Sequence, residues 1–250
     1  MLELKNLKLT INDGVEPVQV LNGINLQLEK KKIYVMTGPN GGGKTSIAKS
    51  IMGIYQPTGG QIILDGEDIT NKSITERARL GIGYAFQQPP RFKGLTVRDV
   101  LKLAAGSNNS IDECDLLYDV GLCAQEYLNR EMNATLSGGE LKRIEIATLL
   151  AQNLKVAVFD EPEAGIDLWS FQKLTETFEK MHRKFDTTMI IISHQERILR
   201  LADEVILVTN GTINEITSRE KILSGIELTD GCSCRNNCSR EELLNVECDR

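Results

Sequence analysis

The sequence contains no apolar run approaching the roughly 18 or more residues needed to cross a bilayer, so any membrane role must come through a separate partner chain. Its opening stretch, Met1-Leu2-Glu3-Leu4-Lys5-Asn6-Leu7-Lys8-Leu9, lacks the continuous apolar core of a signal peptide and alternates apolar with polar residues. That alternation predicts a first strand, and the expected address is the cytoplasm. Basic charge is also short: 29 Lys and Arg stand against 35 Asp and Glu, a formal net charge of −6. Nucleic-acid binding needs a concentrated basic surface to neutralise phosphates, so no direct nucleic-acid partner is expected. Histidine is scarce, at two residues, and no internal repeat is visible. Six cysteines without a secretory signal point to a reducing compartment, where clustered thiols more often bind metal or carry redox chemistry than form disulfides.

What the chain does contain is core material, 41% hydrophobic residues over 250 positions, enough for one large domain or a domain with an inserted lobe. Short apolar runs recur at Ile33-Tyr34-Val35-Met36, Val156-Ala157-Val158-Phe159, Met189-Ile190-Ile191-Ile192 and Val205-Ile206-Leu207-Val208. Near-continuous runs of this kind are strands buried on both faces, as in a parallel α/β sheet. In such sheets ligands sit beyond the carboxyl ends of the strands. Those ends carry Thr37-Gly38-Pro39, Asp160-Glu161-Pro162 and Ser193-His194, so three strands are expected to bring polar chemistry to one edge.

Between residues 54 and 70 the turn Gln56-Pro57-Thr58-Gly59-Gly60 precedes Gln61-Ile62-Ile63-Leu64-Asp65-Gly66, which predicts an antiparallel strand and hairpin in a side sheet. From about Gln88 to Thr135 the strand signal fades, and the spacing in 97–103 and 114–120 is helical, predicting an inserted helical lobe. Cys114 and Cys123 fall in that lobe and are expected as small core residues.

Gly38-Pro39-Asn40-Gly41-Gly42-Gly43-Lys44-Thr45 fits G-x-x-x-x-G-K-[ST], directly after an apolar strand and before the helix-compatible run from Ser46. Consecutive glycines let backbone N–H groups wrap phosphates, and the helix N-terminus adds a favourable dipole. Lys44 would reach the β- and γ-phosphates of ATP, and the Thr45 hydroxyl would ligate Mg2+. Adjacent carboxylates at a strand end repel unless a cation or water network is present. Asp160 therefore reads as a Mg2+ holder, and Glu161 as the group that orients or deprotonates the attacking water. Gln87, after a predicted strand, is placed to contact Mg2+ or that water, and His194 to hydrogen-bond the γ-phosphate. Leu136-Ser137-Gly138-Gly139-Glu140 contains S-x-x-E, a capping box whose open helix N-terminus offers Gly138 and Gly139 N–H groups to an anion. Simple capping would not need two glycines, each costing up to about 1 kcal/mol relative to alanine.

In order and spacing this set resembles the ATP-binding-cassette (ABC) ATPases over roughly residues 1–225. The resemblance implies a P-loop NTPase fold of ABC type, a mostly parallel core sheet with an antiparallel β side sheet and an inserted helical subdomain. It implies a 1–228 ATPase domain with the helical subdomain at about 88–135; the Cys-rich tail at 229–250 lies outside the match. By the same resemblance, Gly38 to Ser46 binds the phosphates, and Thr45, Gln87 and Asp160 serve Mg2+. Lys44, Gln87, Glu161 and His194 serve hydrolysis, and Asp167 lies in the loop Ala164-Gly165-Ile166-Asp167 that borders the site. It further implies an ATP-dependent head-to-tail homodimer in which Ser137, Gly138 and Gly139 of one copy cap the ATP held by the other. Ala164 stands where a serine is often found, and no aromatic precedes Tyr34, so base contacts are expected to be aliphatic. Within the family, Phe86-Gln87, Glu140 and His194-Gln195-Glu196-Arg197-Ile198-Leu199 are most similar to SufC, the ATPase of the SUF iron–sulfur assembly scaffold. That similarity implies a SufB/SufD-like scaffold partner; the alternative is the motor subunit of a membrane transporter, docked on a permease near Gln87 to Val100. Cys232, Cys234, Cys238 and Cys248 in the tail supply enough thiolates for Zn2+ or an iron–sulfur cluster, or remain free thiols.

Overall fold

The computed structural model describes residues 1–222 apart from 13, 15, 107–110, 134 and 185. Cys232, Cys234, Cys238 and Cys248, with any Zn2+ or cluster they hold, lie outside the described residues. Strands β1 (Leu2–Asn12), β2 (Pro17–Leu28) and β3 (Ile33–Thr37) lead into helix α1 (Lys44–Met52). Next come β4 (Gly59–Leu64), β5 (Glu67–Asp68), α2 (Ile74–Arg79) and β6 (Ile82–Ala85). The stretch β7 (Phe92–Thr96), α3 (Val97–Ala105), α4 (Glu113–Asp119), α5 (Ala124–Tyr127) and β8 (Glu131–Met132) precedes α6 (Gly138–Leu150). The remaining elements are β9 (Val156–Asp160), α7 (Leu168–Lys184), β10 (Thr188–Ile192), α8 (Glu196–Leu199), β11 (Glu204–Thr209) and β12 (Thr212–Thr217).

The central sheet runs β12-β11-β3-β10-β9-β6. Its strands are parallel except for β12, which pairs antiparallel with β11 at the edge. Register places Ile191 between Val35 and Phe159, so the ends of β3, β10 and β9 finish side by side as the apolar runs predict. Alternate residues of these strands feed two cores. Val35, Phe159 and Ile191 join one with α6 and α7, and Met36, Val158 and Ile192 join the other with α1 and the first two strands. Burial on both faces is why the runs are unbroken. On α7, Phe171, Leu174, Phe178 and Met181 are buried at helical spacing, and the Phe178 ring meets Phe159 edge-on at 4.8 Å. The side sheet, ordered β2-β1-β4-β5, is antiparallel and includes the hairpin expected at 54–70.

Between β6 and α6 the chain is helical as predicted, with α3 and α4 close to the expected spans. It also carries a small ribbon, β7 paired with β8, for which the sequence shows no strand signal. Cys114 and Cys123 are exposed there, not core residues as expected. The reason is their position: Cys114 is in the first turn of α4, which buries Leu117, and Cys123 precedes the short α5.

Candidate functional site

The loop after β3 is shaped by its glycines. Gly38 has φ 132°, and a Cβ there would lie 2.1 Å from the Val208 carbonyl oxygen, so only glycine lets the loop pass this close to β11. Helix α1 then starts at Gly43 with no side-chain cap and no acidic residue in its first turn. Its free N–H groups and positive dipole end are left for an anion. Lys44 is buried, and its Nζ donates to the carbonyls of Gly38 at 2.7 Å and Pro39 at 3.0 Å. Burial lowers its pKa, against the opposing charges of Glu161 and Asp160.

Strand β9 delivers Asp160 to the rim almost fully buried. Its Oδ1 accepts from the Thr45 hydroxyl at 3.0 Å, and its Oδ2 from the Tyr84 hydroxyl at 2.8 Å. Burial and then Asp160 itself push the Tyr84 pKa up, keeping the phenol a donor. The next residue, Glu161, sits at φ 47°, a left-handed conformation uncommon for a non-glycine residue. Its N–H bonds the Ile192 carbonyl at 3.0 Å, and its Oε2 accepts from Gln87 Nε2 at 2.7 Å. Glu161 and Gln87 line one cavity of about 340 Å3 with Asn40, Gly41, Gly42, Gly43, Lys44, Thr45 and Ser46. At the third strand end, His194 Nδ1 shares a hydrogen bond with Thr37 Oγ1 at 3.3 Å. Partial desolvation, followed by the Lys44 charge, lowers the His194 pKa, with Glu161 opposing.

Ser137 caps α6 in the expected box: the Glu140 N–H donates to its Oγ at 3.2 Å and the Ser137 N–H to Glu140 Oε2 at 2.6 Å. Glu140 also accepts from the Tyr127 hydroxyl and faces Arg130 at 3.5 Å. Desolvation works against the charge, but the Tyr127 and Ser137 hydrogen bonds and Arg130 hold its pKa down to about 2. Ser137, Gly138 and Gly139 do not line the phosphate-loop cavity of their own chain. Asp167 lies at the head of α7, where its Oδ1 accepts from the Ser170 N–H at 3.0 Å.

Sequence patterns do not single out Tyr84, Tyr127, Lys142 or Glu145. The readable signal for Lys142 and Glu145 is a cation and a carboxylate one turn apart among Leu141, Ile144 and Ile146. On a helix with that much apolar residue around them, the pair is drawn inside.

The ABC transporter family description matches residues 21–164. The chain belongs to the ABC ATPase family. An uncharacterised ABC transporter ATP-binding protein of Methanocaldococcus jannaschii is 39% identical over 204 residues, covering 78% of this chain and 81% of its own. A probable ATP-dependent transporter of Cyanophora paradoxa is 32% identical over 229 residues, covering 85% and 86%. Among solved structures, a dimeric ATP-binding cassette in a post-hydrolysis state with ADP and phosphate superposes with a TM-score of 0.79 at 22% identity. It covers 88% of this chain and 99% of that one, a likeness of fold. This ABC cassette is an ATPase that hydrolyses ATP to ADP and phosphate. Mg2+ prefers oxygen ligands from one or two carboxylates plus substrate phosphates. The Thr45 hydroxyl and Asp160 carboxylate, already in contact beside the uncapped head of α1, fit that requirement. No helix of the cassette among the described residues is long and apolar enough to cross a membrane.

Proposed function

We propose that this chain is the ATP-driven motor subunit of a membrane transporter, acting as a pair of copies against a permease. The observation that carries the reading is an apolar cavity of about 390 Å3 beside the Gln87 loop, lined among others by Tyr84, Phe86, Phe92, Val100 and Leu103. Phe86, Phe92 and Leu103 are large apolar side chains left exposed at its walls. A contiguous apolar hollow on a surface marks a partner site, and a short amphipathic helix of a permease fits it. The names of the relatives, one an ABC transporter ATP-binding protein and the other a probable ATP-dependent transporter, support the same reading.

In this reading the phosphates of ATP lie against the loop from Gly38 to Ser46, held by the N–H groups of its non-proline residues, and Lys44 exchanges its loop carbonyls for phosphate oxygens. Thr45, Asp160 and Gln87 would hold Mg2+, which would supply charge neutralisation for phosphoryl transfer. Glu161 orients and deprotonates water, and His194, kept neutral, donates to the γ-phosphate from the Thr37 side. Ser137, Gly138 and Gly139 contact the ATP of the second copy, with Asp167 at the border. A Cβ at Gly138 would meet nothing within 4 Å, so its own chain gives no packing reason for glycine there.

Two experiments test this. Glu161→Gln with saturating Mg-ATP is expected to bind nucleotide and accumulate a closed dimer; a monomer that hydrolyses at the parent rate sinks the assignment. Purification of the full chain in mild detergent is expected to bring down a polytopic membrane protein. A soluble scaffold in its place favours the second reading, a SufC-like ATPase working on a SufB/SufD-like iron–sulfur assembly scaffold. That reading is motivated by Glu140, Phe86-Gln87 and the run from His194 to Leu199. Metal analysis of anaerobically purified full chain decides whether Cys232, Cys234, Cys238 and Cys248 take Zn2+ or a cluster.

A further inference from the structure

Two charged side chains on α6 grip the backbone N–H and carbonyl of one residue, Phe86, in the chain that leads to Gln87. Glu145 Oε1 accepts from the Phe86 N–H at 2.8 Å, and Lys142 Nζ donates to the Phe86 carbonyl. The two are one helical turn apart, with Nζ and Glu145 Oε2 separated by 3.7 Å. Lys142 is 0% and Glu145 7% exposed, so both charges have been taken out of water. A buried ion pair is commonly no more stabilising than an apolar replacement of similar volume. Retaining one here is explained by what it holds. Phe86 has both of its backbone polar groups tied to a single helix, and the next residue is Gln87, whose amide holds Glu161 at 2.7 Å.

The same helix begins at Ser137 with the open glycine N–H groups of Gly138 and Gly139. Its first turn does not line its own phosphate-loop cavity, while its second turn fixes the backbone next to Gln87, which does. A rigid displacement of α6 therefore moves the Phe86 backbone and, through Gln87, the water-directing carboxylate. We propose that Lys142 and Glu145 are positioning residues that couple the two ATP sites of the closed pair, so that α6 docking on the partner's ATP sets Gln87 and Glu161 in its own site. This rests on the head-to-tail pairing proposed above and adds the route by which one site senses the other. Burial of the pair, which holds the Glu145 pKa up at about 7 and lowers that of Lys142, is consistent with a dry, rigid contact.

The test uses full-length chain carrying Glu161→Gln, so that hydrolysis is not needed. In that background, saturating Mg-ATP is expected to close the dimer and slow amide exchange in the segment containing residues 85–88 by about tenfold or more. Adding K142M and E145L together replaces the pair by apolar side chains, the kind of exchange that cores accept. Adding K142M and E145Q together keeps an acceptor for the Phe86 N–H and provides a second variant should the first fold poorly. Both are expected to bind nucleotide and dimerise within about twofold of the background, while the exchange response on closing falls below about twofold for K142M/E145L and is intermediate for K142M/E145Q. In otherwise wild-type chain the pair of changes is expected to lower kcat about tenfold with KM nearly unchanged. An undiminished exchange response in a variant that still dimerises overturns the coupling role and leaves the paired reading standing. Failure of the Glu161→Gln background itself to dimerise overturns the paired reading and the coupling with it.

Discussion

The Tyr84 hydroxyl donates to Asp160 Oδ2 at 2.8 Å while Thr45 donates to Oδ1 at 3.0 Å, so each oxygen of a buried carboxylate is held by a hydroxyl. Tyr84 comes from β6 and Asp160 from the neighbouring β9, so the sheet register itself aims the carboxylate at the head of α1. The two hydroxyls fix the orientation of the carboxylate, so its oxygens are held beside Thr45 at the start of α1.

Tyr84→Phe is therefore expected to change stability by only about 1 kcal/mol, since ring packing is kept, but to raise the Mg2+ concentration needed for half-maximal ATP hydrolysis. Titration of hydrolysis against Mg2+ at fixed ATP measures it. An unchanged half-maximal concentration would show that Thr45 alone orients Asp160.

Glu140 provides a pH signature of the α6 cap. Its pKa is about 2 in the folded chain against an ordinary 4.5, so the unfolded state binds the proton first as pH falls. The carboxylate's contribution is thus complete above the ordinary value and drains away between about 4.5 and about 2. Urea unfolding through that window is expected to show stability falling less steeply in Glu140→Gln than in the parent. Parallel curves would mean that Tyr127 and Arg130 do not stabilise the ionised cap.

The strand ends were legible because a parallel strand buried on both faces reads as an unbroken apolar run, and the first polar residues after it mark the rim. The α6 cap was legible because S-x-x-E acts within one turn of helix. The β7 and β8 ribbon was not: β8 has only Glu131 and Met132, too short to show a period, and β7 carries Gly94 among largely exposed residues. Tyr84, Lys142 and Glu145 escape for another reason. Their partners Asp160 and Phe86 lie far off in sequence, and the contacts exist only once the sheet and α6 are assembled.

Among the described residues Arg77 is the largest fully buried side chain, and it holds the last turn of α1. Its guanidinium donates to the Ser50 and Ile51 carbonyls at 2.6 and 2.9 Å, and to those of Thr70 and Lys72 at 2.6 and 3.0 Å. Ser50 and Ile51 belong to the last turn of α1, where free carbonyls and the negative dipole end welcome a cation. Arg77→Met is expected to cost about 3 kcal/mol or more, because four guanidinium hydrogen bonds, two of them to buried carbonyls, are lost at once. Denaturant unfolding checks the magnitude, and a loss under about 1 kcal/mol would mean that water replaces the guanidinium.

Gly138 separates what the fold needs from what the pairing needs. A methyl group there meets nothing within 4 Å in its own chain, and the residue opens α6 without a positive φ. Gly138→Ala should then leave the subunit as stable as before, or steadier by up to about 1 kcal/mol from helix propensity. In the proposed pairing its cost would fall on the pair, because the added carbon would stand where the second copy's phosphates approach the helix N–H groups. In the Glu161→Gln background, light scattering with saturating Mg-ATP is expected to show the closed dimer lost, while nucleotide binding to the single chain through Lys44 and Thr45 persists. Were Gly138→Ala to close as readily as its background, the glycine would be dispensable and the first turn of α6 would not be the surface that meets the partner's ATP.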